Sequence, residues 1–294
     1  MSARLTFAIP FLRSIAYLRA ALASVAAQRN PAWRCLVLDE GAESGVRELV
    51  DELGDGRIEY LRNEQRLGIV GNWNRGLDAA RTELVTLLHA DDELLPEYLD
   101  VMLALADAHP RAVALACDAE IVDETGRAAF SLADAVKRRL VPRGEPWVLA
   151  GESGLTAIAR GDFVMCPTVA WRLPVLGTRR FEEGWKQVQD LELLARLLLD
   201  GDEIAGTRRR VYRYRRHAES ATAVQTADLS RFEEEIAVLD RIAERARRQG
   251  FPHAARVAER KTMVRLHLVL RAGLDLGRGR LGDSARKLAL IRRA

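Results

Sequence analysis

Short apolar runs that stop abruptly at polar clusters alternate, through the first hundred residues, with segments of helical spacing. Leu5-Thr6-Phe7-Ala8-Ile9 is a β-prone run ended by Pro10. Residues 15–28 repeat apolar side chains at Ile15, Leu18, Leu22 and Val25, and Asn30-Pro31 closes that helical face. Cys35-Leu36-Val37-Leu38 reads as a second buried strand, stopped by Asp39-Glu40-Gly41. Ser44 is placed to cap a helix over 45–53, and Gly54-Asp55-Gly56 turns the chain into a third strand, Ile58-Glu59-Tyr60-Leu61. Helical spacing over 72–80 precedes a fourth strand, Leu84-Val85-Thr86-Leu87-Leu88, which runs into His89-Ala90-Asp91-Asp92-Glu93. Strands alternating with short helices predict an α/β fold whose central sheet is mostly parallel, with its site along the carboxyl ends of the strands.

Further along, the pattern predicts a helix over 97–108 and a strand at Val113-Ala114-Leu115-Ala116-Cys117. Residues 118–160 give no clear period, and the Arg/Pro/Gly-rich piece 137–146 reads as a mobile loop. Helical spacing returns over 188–200. From about 228 everything reads as helix, over 229–249, 253–276 and 281–292, broken at Gly250-Phe251-Pro252 and around Gly277–Gly279. The expected organisation is a domain over 1–225, in two halves (1–110 and 111–225), followed by an all-helical extension over 226–294.

Charge separates the same two pieces. The net of +3 over 294 residues hides 29 basic and 33 acidic side chains in residues 1–227 against 16 and 9 in the remainder. Residues 245–294 alone hold 14 basic and 3 acidic side chains, a balance that permits contact with an anionic membrane surface. Val257, Val264, Leu268 and Leu290 look instead like an ordinary packing stripe, so packing or a homodimer interface is the first expectation and lipid contact the second. No apolar stretch approaches the length of a membrane span, and no secretory signal is visible, so the expected location is cytoplasmic. Cys35, Cys117 and Cys166 are odd in number and widely spaced, as reduced core cysteines would be.

The candidate chemistry sits where apolar runs stop. Asp39 can accept the imide N–H of a pyrimidine base. Asp91, where the fourth strand ends, suits a hard cation, because Mg²⁺ or Mn²⁺ needs only one or two protein carboxylates beside substrate phosphates. His89 can ligate the cation or reach a ribose hydroxyl, or it is simply a strand histidine. Asp190 is placed to act as a general base, or equally to start the helix it opens. Arg208 to Arg216, with His217, Ser220 and Thr222, could grip a diphosphate, or form an edge strand of solvated arginines. There is no Gly-x-x-x-x-Gly-Lys-Ser/Thr, and Gly277-Arg278-Gly279-Arg280-Leu281-Gly282 lacks the strand that a dinucleotide site requires. Nucleic-acid binding is not expected, because the basic run is short and lies in an acidic domain.

Taken in order, these segments resemble the inverting family 2 glycosyltransferases with a GT-A fold. The residues that carry the resemblance are Pro10-Phe11, Asp39-Glu40-Gly41, Asn63 with Leu67-Gly68 and Asn74-Arg75-Gly76, His89-Ala90-Asp91-Asp92 with Leu95-Pro96, Gln189-Asp190-Leu191-Glu192, and Tyr214-Arg215-Arg216-His217 with Ser220. The resemblance implies that Asp39 contacts the nucleobase, Asp91 binds the metal, Asp190 is the base and His217 lies near the metal or the diphosphate. Pro10, Phe11, Asp39, Asn72 and His89 are thus the expected nucleotide-binding residues, and Asp91 and His217 the expected metal ligands. His89 stands where the family has its first acid, and Gln189 where it has a glutamate. The expected activity is metal-dependent transfer of a single sugar from a UDP- or dTDP-sugar, with inversion, to an unidentified acceptor nucleophile. A sugar nucleotidyltransferase and a non-catalytic nucleotide-sugar-binding scaffold are the rivals.

Overall fold

The structure is a computed structural model that describes residues 2–41, 43–130, 132–217, 226 and 228–293, without the side chains of 132–134 and 293. The four early apolar runs become β1 (Leu5–Phe11), β2 (Trp33–Asp39), β3 (Ile58–Arg62) and β4 (Leu84–Leu87). They pair in parallel, with Leu5 opposite both Trp33 and Leu84. Strands β5 (Glu93–Leu94), β6 (Ala112–Val122), β7 (Trp147–Leu149), β8 (Val169–Arg172) and β9 (Glu203–Arg215) extend the sheet in the order β3-β2-β1-β4-β8-β6-β9-β5, with β7 beside the first part of β9. β6 and β9 run with the first four strands, whereas β5, β7 and β8 run against them. The sheet is therefore mostly parallel, and six carboxyl ends share one edge.

Helices cover both faces, as a sheet buried on both sides requires. They are α1 (Ile15–Ala26), α2 (Val46–Leu53), α3 (Gly68–Ala79), α4 (Tyr98–Ala108), α5 (Leu132–Leu140), α6 (Gly151–Arg160), α7 (Leu173–Leu176), α8 (Gln189–Leu199), α9 (Ser230–Arg248), α10 (Pro252–Arg260), α11 (Thr262–Gly277) and α12 (Leu281–Arg293). Alternation along β1 sends Phe7 and Ile9 into one core with Leu18, Leu22 and Met102, and Ala8 into the other with Trp73 and Leu77. Phe232, Ile242 and Leu268 of the C-terminal helices join that second core. α3 lies close on the sheet because residue 76 is glycine. A Cβ there would meet Leu38 Cδ1 at 2.9 Å and Ala8 Cβ at 3.0 Å.

Four sequence expectations change. The single helix over 253–276 is two helices, α10 and α11, because Lys261 takes a left-handed conformation (φ 45°) and breaks the hydrogen-bond ladder between them. The expected loop 137–146 starts as the end of α5. The segment 118–160, which has no sequence period, holds the end of β6, then α5, β7 and all of α6. The arginine run is not an edge strand: β9 has β6 on one side and β7 and β5 on the other. Its arginines pair locally instead, Arg210 with Asp118 at 3.1 Å and Arg213 with Glu120 at 3.3 Å. All three cysteines are free and buried.

Candidate active site

The ends of β1, β4, β6 and β9 and the start of α8 surround a cleft of 1220 Å³. β4 delivers the acidic cluster into it because its apolar side chains are spent inside the sheet and the chain must turn at Ala90. Asp91 Oδ2 lies 2.8 Å from His217 Nε2, which follows β9. His89 stacks on Trp73, ring centroids 5.6 Å apart. Burial pushes its imidazole below the usual histidine range, so it is neutral at pH 7, while Asp91 opposes that shift. Its Nε2 is buried without a hydrogen-bond partner among the described residues.

Asp92 is a different kind of acid. It is buried, accepts the Tyr212 hydroxyl at 2.8 Å on Oδ2 and accepts the Arg215 backbone N–H at 2.8 Å on Oδ1. Burial first, and Asp91 second, raise its pKa well above the ordinary carboxylate range. Asp92 thus ties the β4 turn to β9. Arg215 does the same from its own side, donating to the Asp91 carbonyl at 2.8 Å, to the carbonyls of Asp123 and Glu124, and to the Glu93 carboxylate. Its guanidinium is thereby occupied, and from the basic run it is Arg216, with Tyr214 and His217, that lines the cleft.

Ligand atoms of His89, Asp91 and Asp92 lie within 4.8 Å of one another. Asp92 is buried with its pKa raised well above the carboxylate range, so the donors best placed for a cation are the half-exposed Asp91 carboxylate and His217 beside it. A carboxylate with an imidazole fits Mn²⁺ or Mg²⁺ that keeps phosphate and water as its other ligands.

Asp190 lies in the first turn of α8 and lines the cleft. Burial, reinforced by the nearby Asp162 charge, pushes its carboxyl up to about 7, with Lys137 pulling the other way. One oxygen accepts the N–H of its neighbour Leu191 at 2.9 Å. Asp162 itself carries a buried Oδ1 without a partner among the described residues and faces Lys137 at 3.6 Å through Oδ2.

Of the expected nucleotide contacts, Pro10, Phe11, Asn72 and His89 line the cleft. Asn72 also donates to the Leu38 carbonyl at 3.0 Å and accepts from Asn63 at 3.1 Å. Asp39, the last residue of β2, lies outside the cleft lining, accepting the Tyr60 hydroxyl at 2.6 Å and the Gly41 N–H at 2.7 Å. Its neighbour Glu40 lines the cleft and accepts from Asn63 at 2.7 Å and from the Leu67 N–H at 3.1 Å. Ser220 and Thr222 lie outside the described residues. The sequence reading missed Lys137, Asp162, Arg231, His267 and Arg271, which also line the cleft. They stand in segments without a motif, and Arg231, His267 and Arg271 come from the C-terminal helices.

The family model described as glycosyl transferase family 2 matches residues 6–165. The chain is 26% identical over 201 residues to the succinoglycan biosynthesis protein ExoO of Rhizobium meliloti, covering 68% of this chain and 57% of that protein. It is 32% identical over 107 residues to the GalNAc(5)-diNAcBac-PP-undecaprenol beta-1,3-glucosyltransferase of Campylobacter jejuni, covering 35% of each. The chain thus spans about half, or less, of the length of these curated relatives. Among solved structures, TarS 1-349 of S. aureus in complex with UDP-GlcNAc aligns with TM-score 0.63 at 19% identity, over 82% of this chain and 66% of that one. The mannosyltransferase PcManGT of Pyrobaculum calidifontis, in complex with GDP-Man and Mn²⁺, aligns with TM-score 0.62 at 15% identity, over 99% and 86%. At these identities the likeness establishes the fold, which is of the GT-A type.

Proposed function

Because this chain belongs to glycosyl transferase family 2, we propose that it moves a single sugar from a nucleoside-diphosphate sugar to an acceptor nucleophile, with inversion and with the help of a divalent cation. The observation that carries this reading is one cleft that joins the Asp91–His217 pair to a buried carboxylate, Asp190, whose pKa is raised to about 7. That value suits a general base working at neutral pH.

Asp91, with His217 beside it, would hold Mg²⁺ or Mn²⁺, which when bound neutralises charge on the diphosphate. Pro10, Phe11 and Asn72 border the nucleotide end of the cleft. Asp39 remains the proposed partner of a pyrimidine imide, since each carboxylate oxygen accepts one hydrogen bond and keeps a second lone pair. That contact favours UDP or dTDP. Asp190 takes the acceptor's proton as the acceptor oxygen bonds to the anomeric carbon. The bond from that carbon to the diphosphate oxygen breaks on the opposite side, and its electron pair leaves with the nucleotide. Arg216, beside His217 on the cleft wall, places positive charge where the leaving group gathers negative charge.

Replacing Asp190→Asn should lower transfer by about 10²–10⁴-fold, with nucleotide affinity unchanged by titration calorimetry. Normal turnover in that variant would remove Asp190 from the role of base. Nucleotide-sugar binding without turnover or slow donor hydrolysis in the parent protein would favour a scaffold.

A further inference from the structure

The last two helices bury an ion pair between them and leave a row of leucines exposed. α11 and α12 pack as a hairpin whose interior holds Asp275, Ser284 and Lys287, all buried. Lys287 Nζ reaches Asp275 Oδ2 at 2.5 Å, and Ser284 donates to the Ala272 carbonyl at 3.0 Å. Val264, Leu268, Ala272 and Leu290 are also turned inward. Part of the outward side is apolar. Leu266 (58% exposed), Leu274 (52%), Leu276 (58%) and Leu281 (66%) face water together with Val269, Leu270 and Leu288.

On a helix turning 100° per residue, Leu266, Val269, Leu270, Gly273, Leu274 and Leu276 share one continuous face of α11 with no charged member. Its borders are basic: Arg265 on one side and Arg278 on the other, both exposed. Over the described residues 262–293 there are eight basic and two acidic side chains. An apolar face of this width, rimmed by arginines, has the chemistry of a helix lying in the headgroup region of an anionic bilayer. A second copy is the weaker occupant, because a two-fold contact would set this basic rim against itself.

We propose that the α11–α12 hairpin docks this face on an anionic lipid surface, with the leucines among the acyl chains and the arginines on the phosphates. The same helix sends His267 and Arg271 into the cleft, so the lipid-facing and cleft-facing surfaces are adjacent flanks of one element. The proposal concerns the outer face of the hairpin and does not depend on the chemistry assigned to the cleft.

Co-sedimentation of the full chain with vesicles of phosphatidylcholine alone, and of phosphatidylcholine mixed with phosphatidylglycerol, tests it. The expected result is binding to the anionic vesicles that falls about tenfold in high salt or when phosphatidylglycerol is omitted. The double variant Leu270→Glu/Leu274→Glu, whose side chains are exposed, should keep the parent melting temperature and lose vesicle binding. No binding to anionic vesicles, or equal binding by the folded variant, overturns the proposal. So does a dimer in sedimentation equilibrium that this variant dissociates, since the face would then belong to a second copy.

Discussion

Asp190 and Asp162 show how much of the chemistry rests on two carboxylates sharing a poorly solvated wall. Burial and the Asp162 charge both disfavour an ionised Asp190, which is why its pKa rises to about 7. A base acts only when deprotonated, so transfer should increase with pH through about 7 and level off above it. Asp162→Asn removes the like charge and leaves Lys137 to stabilise the Asp190 carboxylate, so that limb should move to lower pH. A pH–rate profile of both proteins checks this, and an unmoved limb would mean that Asp162 does not govern Asp190. The contrast between Asp91 and Asp92 is just as local. Adjacent in sequence, one is open to the cleft beside His217, and the other is spent on Tyr212 and Arg215.

Among the elements, β9 joins the most parts of the site. It carries Tyr212 and Arg215, which hold the β4 turn, and leads directly into Arg216 and His217. Its first part depends on close approach to β7. A Cβ on Gly206 would fall 1.9 Å from the Trp147 ring, a distance that no side-chain adjustment short of moving the tryptophan relieves. Gly206→Ala is expected to cost roughly 1–3 kcal/mol of stability, as overpacking does, read from urea unfolding. Retention of parent stability would show that Trp147 has room to turn aside. The motif residues of the α3 region have similar structural duties. Asn74 exchanges two 3.0 Å hydrogen bonds with the backbone of Phe181, and Asn63 ties Glu40 to Asn72.

Across the molecule, composition changes near residue 228 while the apolar core does not. Phe232, Val238 and Ala246 of α9 and Leu268 of α11 are buried in the same cluster as Leu194 and Leu198 of α8. Arg231, His267 and Arg271 reach the cleft from this side. A chain ending before Ser230 would uncover that face of α8, and the expected outcome is loss of soluble, cooperatively unfolding protein. A truncated chain that still melts in one sharp transition near the parent temperature would show that the first 229 residues are self-sufficient. Among the described residues no helix is long and apolar enough to cross a membrane.

The early strands, α1, α8 and the positions of Asp91 and Asp190 were legible in the chain because they rest on local rules. Apolar runs of strand length end at polar clusters, helical faces repeat every three to four residues, and both signals lie within a few neighbours in sequence. β5 and β8 are too short to show a period, and 118–160 lost its pattern because β6 is flanked by partners from distant parts of the chain. The tertiary structure alone decided which acids of one cluster face the cleft and which fasten β4 to β9. That choice is made by Tyr212 and Arg215, more than a hundred residues away. It likewise decided that Asp39 sits beneath Tyr60 while Glu40 borders the cleft, and that a tail separated by its charge closes the core of the sheet. Contacts between residues far apart in sequence, and the burial that follows from them, set these outcomes. No local spacing records them.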